Sequence, residues 1–126
     1  MTARADGAKR AAERWGRCAE LLAVLRLACA GYRPIARRFR SRGGEIDLVV
    51  ARGGLVAFVE VKARPSVAEA AEALGQAQWR RVAAASEAFI AGRPHLAPRD
   101  RRFDAVLVVP WRWPRHLADA WRPEPR

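Results

Sequence analysis

The chain is poor in the residues that staple or anchor small proteins. Among its 126 residues are two cysteines, two histidines and one methionine. Two cysteines make no disulfide framework. On one helix Cys18 and Cys29 would share a face but stand about 16 Å apart at 1.5 Å per residue. They read as core thiols of a reducing compartment. His95 and His116 have no metal-ligand spacing to each other or to a cysteine, which sets aside a zinc centre and leaves both as surface residues. No apolar run is long enough to span a bilayer. The run at 21–30 is preceded by Glu20 and contains Arg26, so it is not a signal peptide, and the cytoplasm is the default expectation, with no membrane partner. Internal repeats are also missing.

Acidic residues are in short supply: 13 Asp+Glu stand against 24 Lys+Arg, a net charge of +11. Such a surplus points to a polyanionic partner, nucleic acid first. A genomic bias toward arginine and alanine is the other source of so high a charge. Lysine is the scarcest cation, since only Lys9 and Lys62 are lysines. A compact ammonium whose pKa can shift is a different tool from a guanidinium.

What is present is enough for one core: hydrophobic residues make up 51% of the chain, and its length fits a single domain. That domain is expected over 8–121, between a ragged start at 1–7 and a flexible tail at 122–126. Residues 8–30 are rich in Ala, Leu, Glu and Arg and end at Gly31, which predicts a long helix whose buried stripe is Trp15, Ala19, Leu22 and Ala23. Glu20 lies beside that stripe, either as a solvated edge residue or as a carboxylate aimed at the sheet. The segment 32–40 predicts an edge strand because of Pro34. Its Arg37, Arg38 and Arg40, with Arg42, form the densest basic cluster, read either as a solvated face or as phosphate contacts.

Two β-branched-rich runs then flank Gly53 and Gly54, the signature of a hairpin with a two-residue turn. Such a turn pairs Arg52 with Leu55, and by extension Asp47 with Glu60 and Glu45 with Lys62. With a side-chain period of two, these four share one face, and Ile46, Leu48, Val50, Leu55, Ala57, Val59 and Val61 fill the other. After Pro65, a capping box at Ser66 and Glu69 opens a helix that runs to 91, with Gly75 splitting it. Residues 93–102 read as an exposed loop and 103–109 as a buried strand. A Trp-rich turn and a short amphipathic piece at 116–121 follow. Trp111 and Trp113 flank Arg112, suited to stacking on bases or to covering a core edge. Asp104 is expected to cap the strand or pair with an arginine. The order predicts an α/β fold, a mixed sheet with helices packed on it.

Opposed residues of an antiparallel pair have Cβ atoms roughly 4.5–5.5 Å apart, where like charges repel. Asp47 and Glu60 so placed call for a countercharge. With the Val61 carbonyl they offer hard oxygen ligands for Mg²⁺ or Mn²⁺, and Lys62 stands beside them to serve a water or a developing negative charge. The plainer alternative is a cross-strand ion pair between Glu45 and Lys62, with Asp47 a strand-end residue.

The motifs also carry a resemblance. They are Gly16, Arg17 and Glu20; Gly31 and Tyr32; Arg42, Gly43, Gly44, Glu45, Ile46, Asp47 and Leu48; Phe58, Val59, Glu60, Val61, Lys62, Ala63 and Arg64; and Arg102, Phe103 and Asp104. Together they resemble the YraN-like family of small bacterial proteins, placed in the restriction-endonuclease-like PD-(D/E)xK superfamily and similar to archaeal Holliday-junction resolvases. The resemblance implies a restriction-endonuclease-like mixed β-sheet flanked by α-helices. It also implies a metal site at Asp47 and Glu60 served by Lys62, with Glu20 facing it. Gln78 stands where that family usually has a lysine, with Gln76 nearby. The expected activity is Mg²⁺- or Mn²⁺-dependent hydrolysis of DNA, with branched DNA among the candidate substrates and DNA ahead of RNA. Arg37, Arg38, Arg40, Arg42, Arg64 and Gln78 would hold the backbone, and a homodimer is compatible with this reading. A non-catalytic nucleic-acid-binding module of the same fold is the alternative.

Overall fold

The computed structural model describes residues 3–124. The expected ragged start and flexible tail fall partly on residues 1, 2, 125 and 126, outside the described residues. Helix α1 (Ala3–Cys29) begins earlier than the 8–30 pattern predicts. It closes as expected at Gly31, whose φ of 90° lets Tyr32 N–H donate back to the Leu27 carbonyl at 2.9 Å.

Three strands follow: β1 (Arg33–Ser41), β2 (Gly44–Arg52) and β3 (Leu55–Ala63). A six-residue helix α2 (Val67–Glu72), helix α3 (Gln76–Ala91) and a 3₁₀ turn (Pro94–Leu96) lead to β4 (Asp100–Val108) and β5 (Arg115–Trp121). The Ser66 hydroxyl accepts the Glu69 N–H at 3.2 Å, the expected cap, and Gly75 separates the two helices. The sheet order is β1-β2-β3-β4-β5, with β3 and β4 parallel and every other pair antiparallel. This is the α/β arrangement expected, a mixed sheet flanked by helices in the restriction-endonuclease-like manner.

Both sheet faces are buried. Ala19, Ala23 and Leu27 of α1 pack with Leu48, Val50, Ala57, Val59, Val106 and Val108. Trp79, Val82, Ala85 and Phe89 of α3 cover Ile46, Val49, Val56, Phe58 and Phe103 on the other side. Central strands covered on both faces are apolar throughout rather than alternating.

Several expectations need correction. Ile46 joins the α3 layer, not the face that holds Leu48. Pairing of β1 with β2 runs Arg37↔Leu48 and Phe39↔Ile46, and the level between them is irregular: Arg38 on β1 takes a φ of +51°, and on β2 the alternation breaks between Ile46 and Leu48. Cys18 and Cys29 are exposed, because the buried stripe of α1 runs through Ala19, Ala23 and Leu27 instead. The piece at 116–121 is a fifth strand, and β4 starts inside the expected loop. His116 is no surface residue: its side chain is 8% exposed and bonds Asp104 at 2.8 Å.

Asp104 does pair with an arginine, and with more besides. Fully buried, it accepts from Arg102 Nε and Nη2 at 2.7 Å each and from the Asp119 N–H at 3.0 Å. Arg102 also donates to the Tyr32 hydroxyl at 2.6 Å. Burial alone would push the Asp104 carboxyl up, but the bonds from Arg102, His116 and the Asp119 N–H together hold it down at about 2. The carboxylate thus fastens β5 to β4 at the point where their register shifts.

Candidate functional site

The Gly53–Gly54 hairpin has the register its turn dictates, with Arg52↔Leu55 through to Leu48↔Val59. Beyond that pair the ladder opens. At Asp47 the side chain takes over from the backbone: Asp47 Oδ2 accepts the Val61 N–H at 2.8 Å. Glu60 sits next to it, only 2% exposed, and its Oε2 accepts from Gln78 Nε2 at 2.5 Å. Gln78 reaches it from the first turn of α3.

Both carboxylates have their proton affinity raised. Burial pushes the Glu60 carboxyl up to about 8, and the nearby Asp47 charge adds to it, while Lys62 and the Asp47 backbone N–H work in the opposite direction. Asp47 is also raised, first by burial, with the Val61 N–H and Lys62 opposing. Lys62 is half-buried and forms no ion pair within 4.0 Å among the described residues, so it acts on both carboxylates through space. The Glu45–Lys62 pair does not form. Glu45 turns instead to Arg40, its partner on β1, at 3.7 Å.

Asp47 lines two cavities. One, of about 620 Å³, brings Asp47, Glu60 and Gln78 together with Glu45 and with Arg40, Arg42 and Arg81. The other, of about 510 Å³, brings Asp47 together with Glu20, Arg38 and Arg64. Glu20 does face the site from α1, yet its carboxylate is engaged. It accepts from Arg38 Nε at 2.9 and 3.2 Å, pairs with Arg38 Nη2 at 2.8 Å and has Arg37 at 3.9 Å. Of the expected phosphate contacts, Arg37 and Arg38 are thereby tied to Glu20, whereas Arg40 and Arg42 open onto the larger cavity. Arg64 borders the smaller one, with Nη1 donating to the Ala63 carbonyl at 2.7 Å.

Two contributors escaped the sequence reading. Arg81, one turn beyond Gln78, lines the larger cavity, and its three-residue spacing from Gln78 on a predicted helix was the available signal. The other is the close seat on α3 of the β1–β2 turn, whose Arg42 was expected but whose packing was not. A Cβ on Gly44 would stand 2.3 Å from the Arg81 carbonyl oxygen, and one on Gly43 would stand 2.8 Å from the Ala84 Cβ. These glycines bring the β1–β2 turn directly against α3. That contact sets Arg42 and Glu45 at the mouth of the cavity.

Residues 19–108 match the uncharacterised protein family UPF0102. A UPF0102 protein of Parvibaculum lavamentivorans is 58% identical over 113 residues, 90% of this chain and 85% of that protein. One from Methylobacterium nodulans is 53% identical over 110 residues, with 87% and 85% covered. Another, from Paramagnetospirillum magneticum, is 52% identical over 119 residues, with 91% and 92% covered. The chain belongs to UPF0102. This is the YraN family that the motifs resembled. The match takes in every UPF0102 residue of the site from Glu20 to Arg81, and it ends before Trp111. No helix among the described residues is long and apolar enough to cross a membrane.

Proposed function

We propose that this UPF0102 chain is a Mg²⁺-dependent phosphodiesterase acting on DNA, branched DNA included. The observation that carries the reading is the pair Asp47 and Glu60: two adjoining, largely buried carboxylates, both raised in pKa, opening onto a cavity lined by arginines. Asp47 and Glu60 are hard oxygen donors, and two carboxylates suit an ion that keeps most of its water, as Mg²⁺ does. Bound there, such an ion would supply Lewis-acid stabilisation of phosphoryl oxygens and a more acidic water.

The chain's own residues have separate tasks. Val61 N–H orients the Asp47 carboxylate, and Gln78 orients that of Glu60. Lys62 contributes positive charge where a phosphate gains negative charge during hydrolysis. Arg40, Arg42 and Arg81 hold the DNA backbone at the cavity, giving affinity without sequence preference. Glu20 fixes Arg38 at the neighbouring wall.

Labelled linear, nicked and four-way DNA incubated with Mg²⁺ or Mn²⁺ tests this. Wild type is expected to cleave at least one of them, and Asp47→Asn, Glu60→Gln and Lys62→Ala each to lose at least a hundredfold in rate. Cleavage that persists in all three variants removes the assignment.

One observation favours a second reading. Among the described residues no group of three His, Cys, Asp or Glu side chains is placed to hold a metal ion, and the two further carboxylates beside the pair are engaged, Glu20 by Arg38 and Glu45 by Arg40. A binding module of the same fold fits that donor count. Salt-sensitive binding of the same DNAs with no cleavage in either metal would support it.

A further inference from the structure

The turn between β4 and β5 displays two tryptophans to solvent. Trp111 is fully exposed and Trp113 is 57% exposed, while Trp79 is buried and Trp15 and Trp121 are half-buried. Pro110 and Pro114 bracket the turn and limit its backbone. Within it, Trp111 takes a φ of 65°, a region that bulky residues rarely occupy and that clusters at binding sites. The turn is fastened at both ends: Arg112 N–H donates to the Val109 carbonyl at 3.3 Å, and Arg26 Nε of α1 donates to the Pro114 carbonyl at 3.1 Å. The indoles are therefore held outward by a fixed loop.

Beside them is a cleft of about 300 Å³ whose apolar walls include Leu107, Trp113 and Pro114 and whose charged groups are Arg26, Arg112 and Arg115. No acidic side chain lines it. Neither Arg112 nor Arg115 has an ion-pair partner among the described residues. Flat apolar faces interleaved with guanidinium groups match one ligand chemistry, a nucleotide, with its base stacked on indole and its phosphate against arginine. The location matters too. Leu107 is in register with Lys62 across the parallel pair, and Arg64 N–H donates to the Val108 carbonyl at 3.1 Å. Neighbouring strands lie about 4.8 Å apart. The cleft thus begins one strand away from Lys62, beyond the carboxyl ends of β3 and β4.

We infer that the turn carrying Trp111 and Trp113, with its arginine-lined cleft, binds unpaired nucleotides of the nucleic acid whose backbone lies at Asp47 and Glu60. The substrate class is DNA in which a single-stranded arm adjoins a duplex. The inference rests on the nucleic-acid reading above and adds the strand character that reading leaves open.

Fluorescence anisotropy with a labelled blunt duplex, and with the same duplex carrying a single-stranded arm, tests it. The proteins are wild type, a Trp111→Ala/Trp113→Ala variant and a Trp111→Phe/Trp113→Phe variant, with melting curves recorded for each. Wild type is expected to bind the armed DNA at least tenfold more tightly than the blunt one. The alanine pair loses that preference and keeps its blunt-duplex affinity, and the phenylalanine pair retains the preference. Trp111→Ala alone, at a fully exposed position, serves if the double variant melts lower. Equal binding of the two DNAs by wild type, or an unchanged preference in the alanine variants, overturns the inference. It then frees the turn for a protein partner and leaves the nuclease reading standing. Wild type that binds neither DNA refutes both.

Discussion

Replacing Glu60 by glutamine should make the protein more stable while disabling its site. The folded carboxyl titrates at about 8 against an ordinary 4.5, so between those values the folded chain holds a proton that the unfolded chain has released. Stability contributed at this position is complete below the ordinary value, falls as pH rises through the window and levels off above about 8. At pH 7 the loss is roughly 3 kcal/mol, at about 1.4 kcal/mol per pH unit. Glutamine has nearly the same shape, carries no charge and can still bond Gln78. For a domain of this size Glu60→Gln is then expected to melt about 10 °C above wild type at pH 7.5 to 8. The gap should close toward pH 5, where wild-type Glu60 is neutral as well. Melting curves by circular dichroism between pH 5 and 9 measure it. Mg²⁺ at about a hundred times its dissociation constant should return about 2.7 kcal/mol to wild type and little to the variant. A variant that melts at or below wild type at pH 8, or a gap that ignores pH, would show that Asp47 and Glu60 do not burden the fold as argued.

Other perturbations read other parts of the molecule. Asp104→Ala strips Arg102, His116 and the Asp119 N–H of their common acceptor and should cost about 3–5 kcal/mol in denaturant unfolding. Because Asp104 is held at about 2, its contribution is present above the ordinary 3.8 and is lost only as pH falls through about 2, which acid titrations of wild type and variant will separate. Gly44→Ala drives a methyl into the Arg81 carbonyl and should destabilise by roughly 1–3 kcal/mol, whereas Gly54→Ala, with nothing within 4 Å, should stay within about 0.5 kcal/mol of wild type. Arg42→Ala should weaken binding of all DNAs alike and lower the slope of log affinity against log salt by about one.

The legible parts of this fold are those decided by neighbours in sequence. A two-glycine turn set the β2–β3 register to the residue, and the Ser66 cap and Gly75 placed the boundaries of α2 and α3. The carboxylates were legible because the turn's arithmetic brings Asp47 to the level of Glu60, although the ladder itself ends at Leu48↔Val59 and the expected pairs Asp47–Glu60 and Glu45–Lys62 lie beyond it. What stayed hidden depends on contacts distant in sequence. β5 looks like a tail until Asp104, 15 residues earlier, is seen holding the Asp119 N–H and Trp121 is seen stacked on Trp79 at 6.0 Å. His116 seemed a surface residue because its partner lies on another strand. Cys18 and Cys29 were assigned inward by residue type, but the stripe of α1 is set by which face meets the sheet. The positive φ of Arg38 has no sequence signal, and neither has the break in alternation that places Ile46 with the α3 layer and Leu48 with the α1 layer.

That irregularity bears on how a site can exist in the middle of a sheet. β3 is flanked by strands on both sides and covered by helices on both faces, so a carboxylate on it would ordinarily be sealed in. Two departures from regular pairing prevent this. Arg38 takes its positive φ at the level of Asp47, where the β1–β2 ladder skips a pair, and Asp47 supplies a side-chain oxygen to the Val61 N–H where β2 would otherwise offer a carbonyl. β2 and β3 therefore part at Glu60, and both cavities meet at the parting. Asp47 is at once the charge that perturbs Glu60 and the group that satisfies an otherwise orphaned backbone donor. Removing it altogether mixes the two roles, because a buried N–H left without an acceptor costs about 1–3 kcal/mol by itself. Asparagine keeps an oxygen for Val61 and discards only the charge. For this reason Asp47→Asn, rather than Asp47→Ala, distinguishes a metal ligand from a structural clasp: a clasp tolerates the exchange with its activity intact, and a ligand does not.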